Sequence, residues 1–494
     1  MAMTEARAEI PELARRFLDG RPKQLFIDGA WVDAADGRTF DTINPATEQV
    51  LAQIALAGEQ DVDRAVKAAR VAFEDGRWSG TPPRKKEAVL RAIADLLDEH
   101  ADELGLIETL DNGKPLRSAV GEMHGAAECF RYYSGWPTKI TGDVLPTDPG
   151  KHAYVRREPV GVCGQIIPWN FPLTMAAWKV APALACGNTC VLKPAEQTPL
   201  TALYFAQLLV EAGVPDGVVN VLTGDGSTGR AIVDHRDVDK IAFTGSVEVG
   251  RKIMAAAAPT LKKVSLELGG KSPNIVFADA DLETAVRSAA LGVFMNSGQI
   301  CTAATRLFLE EPIHDDFVGE MSEFTKTLKV GPGLDDGVLI GPLVSDEQLT
   351  RVTGYLDIGK EEGAQPAIGG KRIDRAGYFV EPTIFTGVRN DMRIAQEEIF
   401  GPVVSVITFT DVEDAIAQGN NTEYGLGAAV WTRDISKAHR AAAALKSGSV
   451  WVNNYGEGDN STPFGGYKQS GFGRERGEAS LDLYTQLKSV VVKL

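Results

Sequence analysis

Apolar positions near the start of the chain recur every three or four residues. Val62, Val66, Ala69 and Phe73 form one such stripe and Val89, Ile93, Leu96 and Leu97 another, so two amphipathic helices are expected there. From residue 160 the pattern changes. Short apolar runs at 160–167, 189–192, 218–222, 240–243 and 264–268 alternate with helical stretches at 173–185, 200–212, 228–233 and 247–257. Strands separated by helices read as repeated βαβ units, whose right-handed crossovers build a buried parallel sheet covered by helices on both faces. Ligands of such a sheet bind beyond the carboxyl ends of its strands, so chemistry is expected just after these runs.

A second alternating set follows. Strands are expected at 305–309, 383–385, 403–409, 427–431 and 449–453, with helices at 315–328, 347–362, 412–419 and 435–446, which implies a second α/β domain. The Val-rich segment 487–494 reads as a terminal strand with no turn after it. Such a strand needs a sheet to join, and the extended stretch 140–157 could supply one, within the chain or from another subunit.

Length and charge narrow the possibilities. A chain of 494 residues is too long for one core, so two or three domains are expected. No apolar run approaches the ~18 residues that span a bilayer, and Met1–Leu18 carries mixed charges in place of the apolar centre of a secretory signal. The net charge of −16 argues against nucleic acid or an anionic membrane as partner. Cys129, Cys163, Cys186, Cys190 and Cys301 are too few and too scattered for a disulfide framework, so a reducing compartment, the cytoplasm, is expected. The histidines are equally scattered; no metal site is expected, and Cys186 and Cys190 read as small buried hydrophobes.

Three motifs sit where the pattern places ligands. Gly224-Asp225-Gly226-Ser227-Thr228-Gly229 matches GxGxxG after a strand, but lacks the acidic strand end about 20 residues on; a tight turn and a cofactor contact stay equally open. Phe243-Thr244-Gly245-Ser246 to Gly250 is a second glycine turn opening a helix, whose amides suit a phosphate. Lys193-Pro194-Ala195-Glu196 puts an acid at a strand end, where it could bind ribose hydroxyls or serve only as a helix N-terminal charge. Cys301, in Asn296-Ser297-Gly298-Gln299-Ile300-Cys301-Thr302, is by itself more often an inert thiol than a nucleophile, although the glycine-bearing polar approach favours an exposed loop.

Together, Ile167-Pro168-Trp169-Asn170-Phe171-Pro172, Lys193-Pro194-Ala195-Glu196, Phe243-Thr244-Gly245-Ser246, Leu266-Glu267-Leu268-Gly269-Gly270-Lys271-Ser272, Gly298-Gln299-Ile300-Cys301, Glu397-Glu398-Ile399-Phe400-Gly401-Pro402 and Pro463-Phe464-Gly465-Gly466-Tyr467-Lys468 span most of the chain. In order and spacing they resemble the aldehyde dehydrogenase superfamily, of the hydrolytic NAD(P)-dependent type. The resemblance implies an α/β fold. A variant Rossmann-type dinucleotide domain would occupy 1–139 and 158–266, a catalytic domain 267–470, and a β oligomerisation arm 140–157 and 471–494. In the family that arm extends the neighbouring subunit's sheet, which implies a homodimer or homotetramer.

The resemblance also implies roles. Cys301 matches the nucleophile, whose attack on an aldehyde gives a thiohemiacetal oxyanion held by the Asn170 amide and the Cys301 N–H. Loss of hydride to the nicotinamide leaves a thioester, and Glu267, in apolar, glycine-rich surroundings that suit a raised pKa, matches the general base that hydrolyses it. Relatives that pass the acyl group to coenzyme A lack this base. Lys179 matches a lysine that assists proton movement or orients the amide. Lys193 and Glu196 match adenosine-ribose contacts; Glu196 would repel a 2′-phosphate, which favours NAD over NADP, although Lys193 could help tolerate NADP. Trp169 and Ser246 match pyrophosphate contacts, and Glu398 and Phe400 contacts to the nicotinamide riboside. Ile166, Pro168, Gly226, Phe243, Gly245, Gly250 and Leu268 complete the expected cofactor cradle.

Phe171, Trp178, Met295 and Phe464 match the wall of a substrate tunnel suited to aliphatic or aromatic aldehydes. The loop Gly456-Glu457-Gly458-Asp459 departs from the bulky residues common there and is closer to the γ-glutamyl-aminobutyraldehyde and amino-aldehyde branch. Glu457 and Asp459 could recognise a distal ammonium, or form a solvated loop at the tunnel mouth. Two other readings stay open: a catalytically silent structural member of the family, and a thiol esterase using the same nucleophile.

Overall fold

The computed structural model describes residues 10–494, so the first half of the mixed-charge stretch Met1–Leu18 lies outside the described residues. Two sheets carry the molecule. The first runs in the order Gly471–Phe472, Lys263–Glu267, Lys240–Thr244, Val162–Ile166, Thr189–Lys193, Val219–Val221, Leu25–Ile27, Ala30–Val32. Its strands from Lys263–Glu267 to Val219–Val221 are parallel, as the βαβ alternation requires. From Val162–Ile166 the chain winds outward through Thr189–Lys193 to Val219–Val221, then returns to lay Lys240–Thr244 on the other side of the first strand. The winding reverses there, so the crevice of this sheet opens beyond Ile166 and Thr244, at the Trp169 and Ser246 turns.

The second sheet runs Gln365–Ile368, Thr383–Thr386, Val403–Phe409, Arg306–Glu310, Pro273–Val276, Gly427–Trp431, Ser449–Val452, parallel except for its first edge strand. Buried apolar side chains fill both faces of each sheet. Pro273–Val276 lies inside this sheet with its proline as first residue, the one interior position where a missing N–H is tolerated. The helix after it, Leu282–Phe294, delivers the chain to the Cys301 loop.

The terminal strand finds its partner within the chain. Thr485–Lys493 pairs antiparallel with Lys151–Pro159, and Val144–Leu145 covers the other edge. Gly471–Phe472, expected in the arm, instead adds an antiparallel strand to the first sheet beside Lys263–Glu267. Leu487 and Val491, on one face of the terminal strand, and Leu494 just beyond it remain exposed at 67%, 65% and 80%. Among the described residues no helix is long and apolar enough to cross a membrane, and no cluster of His, Cys, Asp and Glu is placed to hold a metal ion.

Candidate active site

The site forms where the carboxyl ends of the first sheet meet the loop that follows Leu282–Phe294. Leaving Val162–Ile166, the chain turns through Trp169 and Asn170 and enters the helix Pro172–Cys186, with Pro172 at its first position, where a missing N–H costs nothing. Successive carbonyls of this turn are held from outside: Asn112 Nδ2 donates to Trp169 O at 2.8 Å and Lys114 Nζ to Asn170 O at 3.0 Å. The buried Asn170 side chain donates from Nδ2 to Gln299 O at 2.9 Å.

The Cys301 loop is backbone-strained and pinned. Asn296, Ser297 and Gly298 all take left-handed φ values, +49°, +56° and +72°. Only glycine fits at 298, because a Cβ would lie 2.0 Å from Gly401 O. The strain is held by Asn296 Nδ2 donating to Asn170 O at 3.0 Å, Ser297 Oγ to Gly341 O at 2.8 Å, and Val344 N to Gln299 Oε1 at 3.0 Å. Cys301 follows in a turn closed by Ala303 N and Ile300 O at 2.9 Å. The residue is only partly exposed, less open than a nucleophile loop suggests. Burial, with smaller contributions from the Glu398 and Glu267 carboxylates, pushes its thiol up to about 12. Cys129, Cys163, Cys186 and Cys190 are buried.

Glu267 ends the strand Lys263–Glu267, is 4% exposed, and has no hydrogen-bond partner on either carboxylate oxygen. Buried carboxylates are normally paired, so an orphan marks a place where water or substrate belongs. Burial holds its pKa well above the usual carboxylate range; Glu475 raises it further, while Lys179 and Arg474 oppose. The apolar, glycine-rich surroundings expected for Glu267 are therefore only part of the picture. Gly465 packs against it, where a Cβ would stand 2.7 Å from Oε1, but a charged set stands behind. Lys179, fully buried, donates from Nζ to Thr244 Oγ1 at 2.6 Å and pairs with Glu475.

Across the crevice Glu398 accepts from Gly270 N at 2.9 Å, and Gly269 leaves no room for a Cβ beside it. Burial raises Glu398 to about 7. Phe400, at φ +61°, sets its ring edge-on to Trp169 with centroids 5.2 Å apart. This contact brings the second sheet's loop against the strand end of the first. Pro168, in the same turn, is half-buried.

The glycine turns have different causes. Gly245 packs under the Phe243 ring and Gly250 against Leu268, where Cβ atoms would lie 2.4 Å and 2.8 Å away. Ser246 Oγ accepts from Val249 N at 3.3 Å, capping the helix Val247–Ala257, whose N-terminal amides open on the crevice. In the 224–229 motif Gly224 is required by Thr228, 2.1 Å from where its Cβ would be, which is the tight-turn reading. Gly226 has open space around it, and Gly229 faces Ile166 and Lys193 at van der Waals distance. Lys193 is buried, its pKa lowered by that burial, and pairs with the more exposed Glu196 at 3.3 Å.

The expected substrate residues divide into two groups. Met295 and Glu457 line a cavity of about 720 Å³ with Ile300 and Thr302, the neighbours of Cys301 in the chain. Phe171, Trp178 and Phe464 lie off its wall: Trp178 and Phe464 meet edge-on at 5.3 Å, and Lys114 sits 4.7 Å from the Phe171 ring centre. Asp459 is engaged by its own loop, accepting from Ser461 N at 2.8 Å, and does not reach the cavity. Sequence reasoning missed Lys114, Asn296, Gln299 and Glu475. The polar approach to Cys301 contained two of them, and a charged Arg474-Glu475-Arg476 just past the last motif was the only trace of the fourth.

Residues 31–490 match the aldehyde dehydrogenase family. An aldehyde dehydrogenase of Aspergillus niger is 52% identical over 476 residues, 96% of this chain and 96% of its own length. The mitochondrial aldehyde dehydrogenase of Homo sapiens is 49% identical over 475 residues, 95% of this chain and 92% of its own. The NAD+ complex of aldehyde dehydrogenase from Bacillus cereus superposes with a TM-score of 0.97 at 49% identity, covering 99% of this chain and 100% of that one. The chain belongs to the aldehyde dehydrogenase family and is an oxidoreductase of that family.

Proposed function

We propose that the protein oxidises an aldehyde to a carboxylic acid, with Cys301 as nucleophile, Asn170 in the oxyanion hole, and Glu267 as the base that hydrolyses the thioester. The observation that carries this reading is the buried, unpartnered Glu267 carboxylate at the edge of the crevice that also holds Asn170 and the Cys301 loop. The Cys301 thiol releases its proton to solvent as Sγ forms the bond to the aldehyde carbon and the carbonyl π pair moves onto oxygen. The Asn170 amide must then leave Gln299 O and donate to the developing oxyanion. Glu267 takes a proton from water as the water attacks the thioester, releasing the acid and the Cys301 thiol. Lys179, held by Glu475 and Thr244, keeps a positive charge near Glu267 and limits how far its pKa rises.

The crevice suits NAD, which when bound accepts a hydride. The switch-point opening, the capped helix behind Ser246, the glycine cradle at 245 and 250, and Lys193 beside Glu196 all favour a dinucleotide with a free 2′-hydroxyl. The Bacillus cereus neighbour is itself an NAD+ complex. Glu398, bonded to Gly270 N, and Phe400, packed on Trp169, would hold the nicotinamide end. The exposed apolar residues Leu487, Val491 and Leu494 on the arm support assembly into a homodimer or homotetramer. The aldehyde's far end lies toward Met295 and Glu457, and Glu457 favours substrates with a distal ammonium.

The test is a panel of aliphatic, aromatic and ω-amino aldehydes assayed with NAD and with NADP, with and without coenzyme A. NADH formation with equimolar acid, unchanged by coenzyme A, is expected; no turnover across the panel, or acyl-coenzyme A as product, overturns the reading. Glu457 is exposed, so Glu457→Gln should raise KM for ω-amino aldehydes roughly two- to five-fold, the range of a solvated ion pair, and leave neutral aldehydes unchanged. Equal effects on both classes remove Glu457 from substrate recognition.

A further inference from the structure

Lys114 stands in the turn between the helices Ala101–Asn112 and Leu116–Ser134, remote in sequence from every motif of the site. The turn is sharp: Gly113 has φ +93°, and a Cβ there would strike Pro342 and Pro45 at 2.6 Å and 2.8 Å. The Lys114 side chain is completely buried. An ammonium has three protons to donate, and here each has one acceptor: Glu108 Oε1 at 2.9 Å, Glu122 Oε2 at 2.5 Å, and the backbone carbonyl of Asn170 at 3.0 Å. Burial alone would lower the lysine's pKa, but the two carboxylates outweigh it and hold it above the ordinary value.

Buried ion clusters are a poor way to stabilise a core, since apolar side chains of the same volume often do as well or better. This cluster has a direction. Its two carboxylates fix the ammonium, and the remaining proton points at the residue whose side chain enters the oxyanion hole. The neighbouring carbonyl, Trp169 O, is held by Asn112 from the same turn. On its other side Asn170 O accepts from Asn296, which also reaches Gln299 O at 3.3 Å, the same oxygen that Asn170 Nδ2 now occupies. A fixed charge in one helical turn is thus linked through the Asn170 peptide to the strained loop that carries Cys301.

We infer that Lys114 is a positioning residue: clamped by Glu108 and Glu122, it fixes the Asn170 peptide so that the Asn170 amide meets the oxyanion without rearrangement of the backbone. The inference rests on Asn170 acting in the oxyanion hole. A misplacement near 1 Å at such a donor is worth on the order of 10²-fold in rate.

Two variants test it. Lys114→Met removes the ammonium, and the combined Lys114→Met, Glu108→Gln, Glu122→Gln protein removes it without stranding buried carboxylates. In both, kcat for aldehyde oxidation and for NAD-independent ester hydrolysis should fall together, roughly 10- to 100-fold. NAD affinity, measured by fluorescence titration, should stay within about two-fold, because the ammonium contacts the Asn170 carbonyl and not the crevice. In an Asn170→Ala background the same substitutions should cost less than about two-fold, since the group they position is gone. Full additivity with Asn170→Ala, a loss confined to NAD affinity, or failure of both variants to fold makes Lys114 structural and overturns the inference. If Asn170→Ala alone leaves kcat unchanged, it is the oxyanion-hole assignment that fails, and the clamp with it.

Discussion

Cys301→Ala should reduce NADH formation from any aldehyde by about 10⁴-fold or more, the scale on which removal of a nucleophile acts when the rest of a site works only through it. The substitution should leave the fold intact. Cys301 is partly exposed, its loop is held by backbone and side-chain bonds from Asn296, Ser297 and Gln299, and alanine removes only the sulfur. Melting temperature and NAD affinity should therefore match the parent protein, and turnover within tenfold of the parent would exclude Cys301 as nucleophile. Cys301→Ser should be nearly as inactive, because a hydroxyl in this setting ionises even less readily than a thiol raised to about 12. Burial, Glu398 and Glu267 all oppose the thiolate, so the rate of acylation should rise with pH. Alkylation supplies an independent check. Cys129, Cys163, Cys186 and Cys190 are sealed in the core, so one equivalent of a thiol reagent should label Cys301 and abolish activity in proportion.

How much of this was legible in the chain differs from element to element. The βαβ alternation between 160 and 268 was plain because each strand is a compact apolar run bounded by glycine, proline or polar turns, and the stretches between are long enough for a helix, even Pro172–Cys186, which is buried almost throughout. The helix Ala101–Asn112 left no such trace: every residue from Leu104 to Asn112 is buried, so no polar stripe marks its period, and Glu108, Asp111 and Asn112 interrupt its apolar side. The strand Pro273–Val276 was hidden by its length and its proline; the helix Leu282–Phe294 does bury Ala285, Val286, Ala289, Ala290, Val293 and Phe294 at helical spacing, a stripe blurred by its small alanines and by the exposed Leu291, and together the two set the direction of the Cys301 loop. Site residues followed the same logic. Cys301 read alone was an ordinary thiol, and only the motifs around it changed that. Glu475 carried no signal because its importance lies in a contact with Lys179 and an influence on Glu267 that exist only after folding. Asp459, which looked like a companion to Glu457, is bound to Ser461 instead, a local hydrogen bond that charge patterning does not reveal.

Glu267→Gln should separate the two halves of the reaction. Acylation of Cys301 needs no water, so one NADH per site should still appear in a rapid burst, followed by a steady state slowed roughly 10²- to 10⁴-fold, the usual contribution of a positioned base. The accumulated acyl-enzyme should be visible by mass spectrometry and discharged by hydroxylamine. A variant that slows without a burst would place Glu267 in the acylation step instead. The pH dependence adds a second constraint. Glu267 works as a base only when ionised, and burial, reinforced by Glu475, holds its pKa well above the usual carboxylate range. Deacylation in the parent protein should therefore rise with pH through that elevated value, and the limb should vanish in Glu267→Gln. Glu475→Gln takes away the like charge while leaving the burial, so it should move the limb to lower pH without removing it. If the limb moves to higher pH, the dominant effect of Glu475 is its hold on Lys179, whose charge would then no longer be kept beside the base.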